Sequence, residues 1–247
     1  MKSIIAFTGK ARSGKDTSCM LTKNFLQDEE GYNVHIFAFA DSLKESAAYI
    51  FGLDWNDLYG ETKETPRKFN LRFSDLYFAV QWSLELVFPH KNLHLDVKLC
   101  GELTGRLIME LKKVAKPTLL TRMGLSKTYK FSSRQIQQIW GSEVVRKVLG
   151  EKFWIRDLAE RMERFFESCS KANQYGIALI SDLRFDHEAE FLKSFDSQII
   201  EVKRDNLVKV SSHKSENGIS TKFERDIIQN NGSLEDLENK LKAIIIK

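Results

Sequence analysis

Apolar residues in this chain gather in short unbroken runs, separated by longer segments in which they recur at helical spacing. Ser3 to Phe7 reads as a buried strand and Thr17 to Leu26 as the helix that follows it. Val34 to Phe39 is a second strand, rich in β-formers and uninterrupted. Asp41 and Ser42 are placed to cap a helix over Leu43 to Phe51, and Gly52 stops it. From Leu53 to about Ser126 the regularity breaks down. That stretch holds a helix around Asp75 to Val87, an alternating run from Leu93 to Leu99 that suits a strand, and a helix from about Glu102 to Val114. The regular pattern then resumes, so 53–126 reads as an insertion within a single domain spanning 1–247.

Ser133 to Leu149 and Phe153 to Phe166 are two helical runs joined at Gly150. Ile177 to Ile180 is a strongly apolar third strand, followed by a helix around His187 to Phe195. Gln198 to Val202 is a fourth strand and Asp226 to Gln229 a fifth. Asn230-Asn231-Gly232 is turn chemistry, and Ser233 with Asp236 opens the last helix as a capping pair. Strands alternating with helices predict an α/β fold, a parallel sheet covered on both faces.

Composition narrows the class. A chain of 247 residues, 42% of them hydrophobic, can bury a substantial core. The formal net charge of +4 and the pI of about 8.8 are mild and spread along the chain. They suit anionic small molecules at least as well as nucleic acid, and there is no basic tail. Cys19, Cys100 and Cys169 lie far apart without a C-x-x-C pair, a pattern of reduced thiols and not of a disulfide framework or a zinc site. Residues 3–7 are too short for a signal-peptide core, and no apolar stretch approaches a membrane span. The expectation is a cytoplasmic globular protein.

"GKARSGKDT", residues 9 to 17, follows the first strand and precedes the first helix. In a phosphate-binding loop, glycines let backbone N–H groups turn inward, a lysine bridges the outer phosphates, and the helix N-terminus adds its positive end. Gly9, Gly14 and Lys15 match, while Arg12 and Ser13 add donors. Lys15 is expected to be solvent-reachable. Asp16 stands where the strict pattern has Ser or Thr, and Thr17 brings the hydroxyl one place later. Asp16 could be a favourable charge in the first helical turn, or could handle a divalent cation beside the phosphates. The G-K-x-T form resembles that of nucleoside monophosphate kinases.

A kinase also needs positive groups for the acceptor. In "SRQIQQIWGSEVVRKVLGEKFW" (133 to 154), Arg134, Gln138, Gly141, Ser142 and Arg146 fall at spacings that share one helical face. The bland reading is a solvated polar face with a kink at Gly141. In "ALISDLRFDHEAE" (178 to 190), Asp182 lies just past a buried strand, where a carboxylate can reach a phosphate-bound Mg²⁺ or accept a proton. Arg184 and Glu188 stand four apart beside it; Asp182 could also simply cap the next helix.

Taken together, "GKARSGKDT", "FADSLKESAAYIFG", "QIWGSEVVRKVLGEKFW", "SDLRFDHE" and "IIQNNGSLEDL" resemble the deoxynucleoside monophosphate kinases encoded by bacteriophages, in the same order and outside roughly 53–126. The resemblance implies a P-loop kinase fold that moves the γ-phosphoryl group of ATP onto a dNMP, with Mg²⁺, in the host cytoplasm. It implies that Arg12, Ser13, Gly14, Lys15, Asp16 and Thr17 bind the donor, with Asp16 and Asp182 on the metal. It further implies that Lys44, Arg134, Gln138, Gly141, Ser142, Trp154, Arg184 and Glu188 form the acceptor site. Lys15, Asp16, Arg134, Asp182 and Arg184 would make up the catalytic set. Ser142 stands where the family usually has threonine, and Gln135 where members often have a second basic residue. The implied partners are small-molecule nucleotides, not nucleic acid or membrane, with a homodimer left open.

Other features carry less. A metal pair at His90 and His94 is not expected beside Pro89 in an alternating stretch. Trp55, Trp82 and Trp140 read as core. His213 and Glu216, in a polar turn-rich segment, are unassigned, and Arg204 follows the fourth strand as an adenine contact or surface charge. Competing functions are another small-molecule P-loop kinase, of dephospho-coenzyme-A or phosphomevalonate type, an ATP-dependent switch protein, and a nucleic-acid-binding module.

Overall fold

The computed structural model describes residues 2–117, 119–124, 126–205 and 218–245, and the chain divides into two compact units, 1–39 with 155–247, and 40–154. In chain order, the first unit begins with β1 (Lys2–Thr8), α1 (Lys15–Asp28) and β2 (Asn33–Phe37). The second unit holds α2 (Asp41–Phe51), α3 (Trp55–Leu58), β3 (Arg67–Asn70), α4 (Phe73–Val87), α5 (Val97–Val114), β4 (Lys116–Pro117), α6 (Leu119–Arg122), β5 (Thr128–Phe131) and α7 (Ser133–Gln138). A π-helical stretch, Ile139–Val145, then runs into α8 (Arg146–Leu149). After α9 (Phe153–Lys171) come β6 (Gly176–Leu183), α10 (Asp186–Leu192), β7 (Ser197–Lys203), β8 (Asp226–Gln229) and α11 (Leu234–Ile245).

The first unit is a parallel sheet in the order β2-β6-β1-β7-β8. Successive residues of a strand face opposite ways, and both faces are dry here. Ile4 and Ala6 of β1, with Ala178 and Ile180 of β6, pack on Leu158 and Met162 of α9 and Leu192 of α10. Ile5 and Phe7, with Ile177 and Leu179, pack instead on Phe25 and Leu26 of α1 and Leu237 and Leu241 of α11. Each of the isoleucine, leucine, phenylalanine and methionine side chains among them contributes about 1.5–3 kcal/mol when fully buried. Double coverage is why these strands read as unbroken apolar runs. This is an α/β architecture with a parallel sheet covered on both faces, as the alternation of strands and helices predicts, and it is consistent with the P-loop kinase fold that the resemblance implies.

Two details place the site. β2 was expected to reach Phe39 but ends at Phe37. Arg161 takes the Ala38 carbonyl at 2.9 Å and Asp182 takes the Phe39 amide at 2.7 Å, so side chains replace the ladder there. Thr8 of β1 lies beside Leu183 of β6 and Glu201 of β7, so the glycine loop leaves the sheet where several strands end together. Ligands of open parallel sheets bind outside these carboxyl ends.

The second unit contains 53–126 together with the helices on either side of it. Its core gathers Leu84 of α4, Leu103, Leu107 and Leu111 of α5, Phe131 and Trp140, beside an antiparallel sheet in the order β3-β5-β4. Three expectations are corrected here. Leu93 to Leu99 is not a strand: Leu93–Leu95 is a 3₁₀ turn, and Asp96 caps α5 by accepting the Leu99 amide at 2.9 Å. The apparent alternation was the approach to a helix whose Cys100, Leu103, Leu107 and Leu111 are buried at helical spacing. Trp55 and Trp82 are exposed, at 68% and 63%, whereas Trp140 is in the core as expected. Trp82 sits on α4 opposite the face that buries Leu76, Val80 and Leu84. Among the described residues no helix is long and apolar enough to cross a membrane. His213 and Glu216 lie outside the described residues.

Candidate active site

The loop between β1 and α1 has a backbone that two glycines make possible. Gly9 has φ 139° and Gly14 φ 101°. A Cβ on Gly9 would lie 2.3 Å from the Val202 carbonyl oxygen, and one on Gly14 would lie 2.2 Å from Asn230 Nδ2. Both positions therefore need glycine for room as well as for conformation. Gly14 is the N-cap of α1, so the first-turn amides of that helix lack intrahelical acceptors and, with the helix dipole, offer an anion site at the loop. The hydroxyl oxygens of Thr8, Ser13 and Ser18 are buried and have no hydrogen-bond partner among the described residues. Buried hydroxyls around a phosphate loop fit an oxyanion that accepts from them.

Lys15 departs from expectation. It is 8% exposed, and its Nζ donates to the Lys10 carbonyl at 2.8 Å. Its stem lies against the loop and its ammonium satisfies a loop carbonyl, so it is not a free surface cation. Arg12, Asp16 and Thr17 are exposed, the last two on the first turn of α1.

Asp182 lies one residue before the end of β6. Burial pushes the Cys19 thiol well above its ordinary range, and the negative charges of Asp16 and Asp182 push it further. Both carboxylates are thus within electrostatic reach of one thiol. Glu188, only 3% exposed, accepts the amides of Arg184 at 2.9 Å and Phe185 at 3.1 Å. Its carboxylate closes the first turn of α10 and fixes the backbone that carries Arg184; the structure gives it a capping role. Arg204 is exposed just past β7.

The other named residues belong to the second unit. Arg134 pairs with Glu64 at 2.8 Å. Lys44 lies over the Tyr59 ring, 4.1 Å from its centroid, and Tyr59 in turn lies near Trp55. The run from Ser133 to Leu149 is not one α-helix, because residues 139–145 are π-helical. A four-residue step overshoots an α-helical turn by about 40°, and the wider i→i+5 turn takes back part of that drift. Two rows spaced by four result: Ile136, Trp140 and Val144 buried, and Arg134, Gln138, Ser142 and Arg146 half-buried. Gly141 is buried and off that polar row, since a Cβ there would lie 2.2 Å from Leu43 Cδ1. Trp154 is in the core, donating from Nε1 to the Gly141 carbonyl at 3.1 Å. It supports the π-helical backbone from below.

Sequence reasoning missed Asn230, Glu64 and Tyr59. Asn230 carried a signal, a short polar side chain at a strand end, but it read as turn chemistry alone. Nothing local marks Glu64 as the partner of Arg134, 70 residues on.

A family model described as deoxynucleotide monophosphate kinase matches residues 3–241. The chain belongs to that family. It is 21% identical to the deoxynucleotide monophosphate kinase of Enterobacteria phage T4 over 250 residues, covering 97% of each chain. It is 25% identical to the deoxynucleotide monophosphate kinase of Escherichia phage RB69 over 115 residues, covering 47% of this chain and 45% of that one. As a member of the deoxynucleotide monophosphate kinase family the protein is a nucleotide kinase, and the glycine loop is the family's expected P-loop.

Proposed function

We propose that this kinase transfers the γ-phosphoryl group of ATP to a deoxynucleoside monophosphate, giving dNDP and ADP. The observation that carries the reading is the loop itself. Two sterically required glycines, a lysine and a helix N-terminus meet where β1 ends, with buried hydroxyls that fit an anion. In this reading the loop amides, Ser13 and Lys15 hold the donor phosphates. Asp182 and Arg184 lie at the end of the neighbouring strand β6, and Arg134, Gln138 and Ser142 of the second unit bind the acceptor. The acceptor phosphate, with a second pKa near 6, is already mostly ionised at neutral pH. No general base is then required, and the protein's task is positioning and charge stabilisation.

Among the described residues no cluster of three or more His, Cys, Asp or Glu could hold a metal ion by itself. The residues fit Mg²⁺ as it is bound beside phosphates, through one or two carboxylates with water and substrate oxygens. Asp16 and Asp182 would hold it with the Thr17 hydroxyl nearby, and when bound it would neutralise charge on the phosphates. The deciding experiment measures ATP consumption alone and with each of dAMP, dCMP, dGMP, dTMP and coenzyme-A precursors. Consumption that depends on a dNMP supports the proposal. Hydrolysis without an acceptor, or dependence on the coenzyme-A precursors, overturns it.

A further inference from the structure

We propose that Asn230 is a positioning residue of the phosphate loop, aiming the Gly14 amide by holding the Ser13 carbonyl. The inference rests on the reading of residues 9–17 as the donor-phosphate loop. Asn230 follows β8 directly, 217 residues from the loop it contacts. Its backbone amide donates to the Lys203 carbonyl at the end of β7 at 2.7 Å. Its side-chain Nδ2 donates to the Ser13 carbonyl at 2.8 Å. The residue is thus fixed by its main chain to one strand end, with its amide reaching across to the loop.

The consequence follows from peptide geometry. In a trans peptide the C=O of one residue and the N–H of the next point in opposite directions. Anchoring the Ser13 carbonyl on Asn230 therefore turns the Gly14 N–H away from Asn230. A phosphate loop works only if its amides, not its carbonyls, face the anion. Gly14 is the residue most able to let this peptide rotate, because it has no Cβ and φ 101°. A flipped peptide would present the Ser13 carbonyl dipole to the phosphates. Asn230 also fills the space beside Gly14, 2.2 Å from where its Cβ would stand, so the same side chain enforces glycine and restrains it.

The test compares Asn230→Leu and Asn230→Ala with wild type and with Lys15→Ala. Leucine matches the amide in shape and keeps the space beside Gly14 filled, and it removes only the donor. Losing one neutral hydrogen bond corresponds to an ATP KM raised about two- to tenfold. The dNMP KM should be unchanged, and amide exchange at Gly14 faster, in both Asn230 variants. Wild-type ATP KM in Asn230→Leu overturns the proposal, as does an equal rise of both KM values with a lowered melting temperature. Lys15→Ala tells the two failures apart. If it loses turnover while Asn230→Leu is silent, only the role of Asn230 falls. If Lys15→Ala is silent too, the donor-loop reading falls and takes this proposal with it.

Discussion

Asp182 Oδ1 accepts the backbone amide of Phe39 at 2.7 Å, so the carboxylate at the end of β6 also terminates β2. A residue proposed for the metal is therefore part of the scaffold, and the two roles can be separated. Asp182→Asn keeps an acceptor for Phe39 and should fold with a melting temperature close to wild type. Its turnover should fall by about a hundredfold or more, the scale of removing a preorganised electrostatic contact. Asp182→Ala should lose turnover and also about 1–3 kcal/mol of stability, through the unsatisfied amide. Turnover in Asp182→Asn near that of wild type would leave Asp182 as scaffold alone.

Asp16 and Thr17 are exposed on the first turn of α1, and neither substitution opens a cavity. Asp16→Asn should raise the Mg²⁺ concentration needed for half-maximal turnover. Its stability cost should be only about 0.3–1 kcal/mol, from the lost helix-dipole interaction. Thr17→Ala should weaken ATP binding at saturating Mg²⁺. A Mg²⁺ titration of Asp16→Asn that overlays wild type would reduce Asp16 to a helix-start charge.

Gly141 and Leu43 make a third test, confined to the second unit. An alanine at 141 would place Cβ 2.2 Å from Leu43 Cδ1, the far end of a side chain that can rotate. Gly141→Ala should cost about 1–3 kcal/mol as overpacking. Leu43→Ala in the same chain should recover part of that cost, a coupling read from a double-mutant cycle in denaturant. Strict additivity would mean the close approach is not what Gly141 provides.

How much of this was legible depends on how local each cause is. The turn at Gly9 and Gly14 was legible because its causes are local, lying within one loop between a strand and a helix. The position of Asp182 near the end of β6 was legible because that strand is a dry apolar run and the first acidic residue at its end stands out. The π-helical turn was not, since the close fit of Gly141 on Leu43 belongs to tertiary packing. Trp82 was misread because hydrophobicity says that a ring is apolar, not which face of α4 carries it. The run from Leu93 to Leu99 misled by its period of two, although Asp96 was available as a helix cap. Asn230 was hidden by distance along the chain.

Asp57 offers a pH test. Burial alone would raise its carboxyl, but Arg67, the Asp54 amide and the Thr62 hydroxyl together hold it below the usual carboxylate range. A lowered native pKa gives stability that is present above the unfolded value, near 4, and lost as pH falls through the native one. Asp57→Asn should therefore be less stable than wild type at pH 7, by about 1–3 kcal/mol. The lower end is expected, because the Arg67 side chain is 46% exposed and solvent screens the pair. Below about pH 3 the gap should narrow. Denaturant midpoints showing the same gap at pH 7 and pH 3 would sink this account.

The residues proposed for the acceptor give the most discriminating prediction, because under that proposal their effects part from those of residues 9–17. Arg184 follows β6 on a backbone fixed by Glu188, and Arg134 is held by Glu64. An arginine offers a planar fork that pairs a phosphate bidentately, whatever the base. Arg184→Ala should lower kcat/KM for every dNMP by about three orders of magnitude, the scale of losing a cationic phosphoryl clamp. ATP affinity should hardly change. Glu64→Gln should have a smaller effect confined to the dNMP KM, since it loosens Arg134 without removing it. Gln138 presents an amide that both donates and accepts, and such a group reads base edges. Gln138→Ala should thus cost less than Arg184→Ala, and unevenly among dAMP, dCMP, dGMP and dTMP. A uniform loss across the four would make Gln138 a backbone support, and a rise in ATP KM with Arg184→Ala would move that arginine to the donor side.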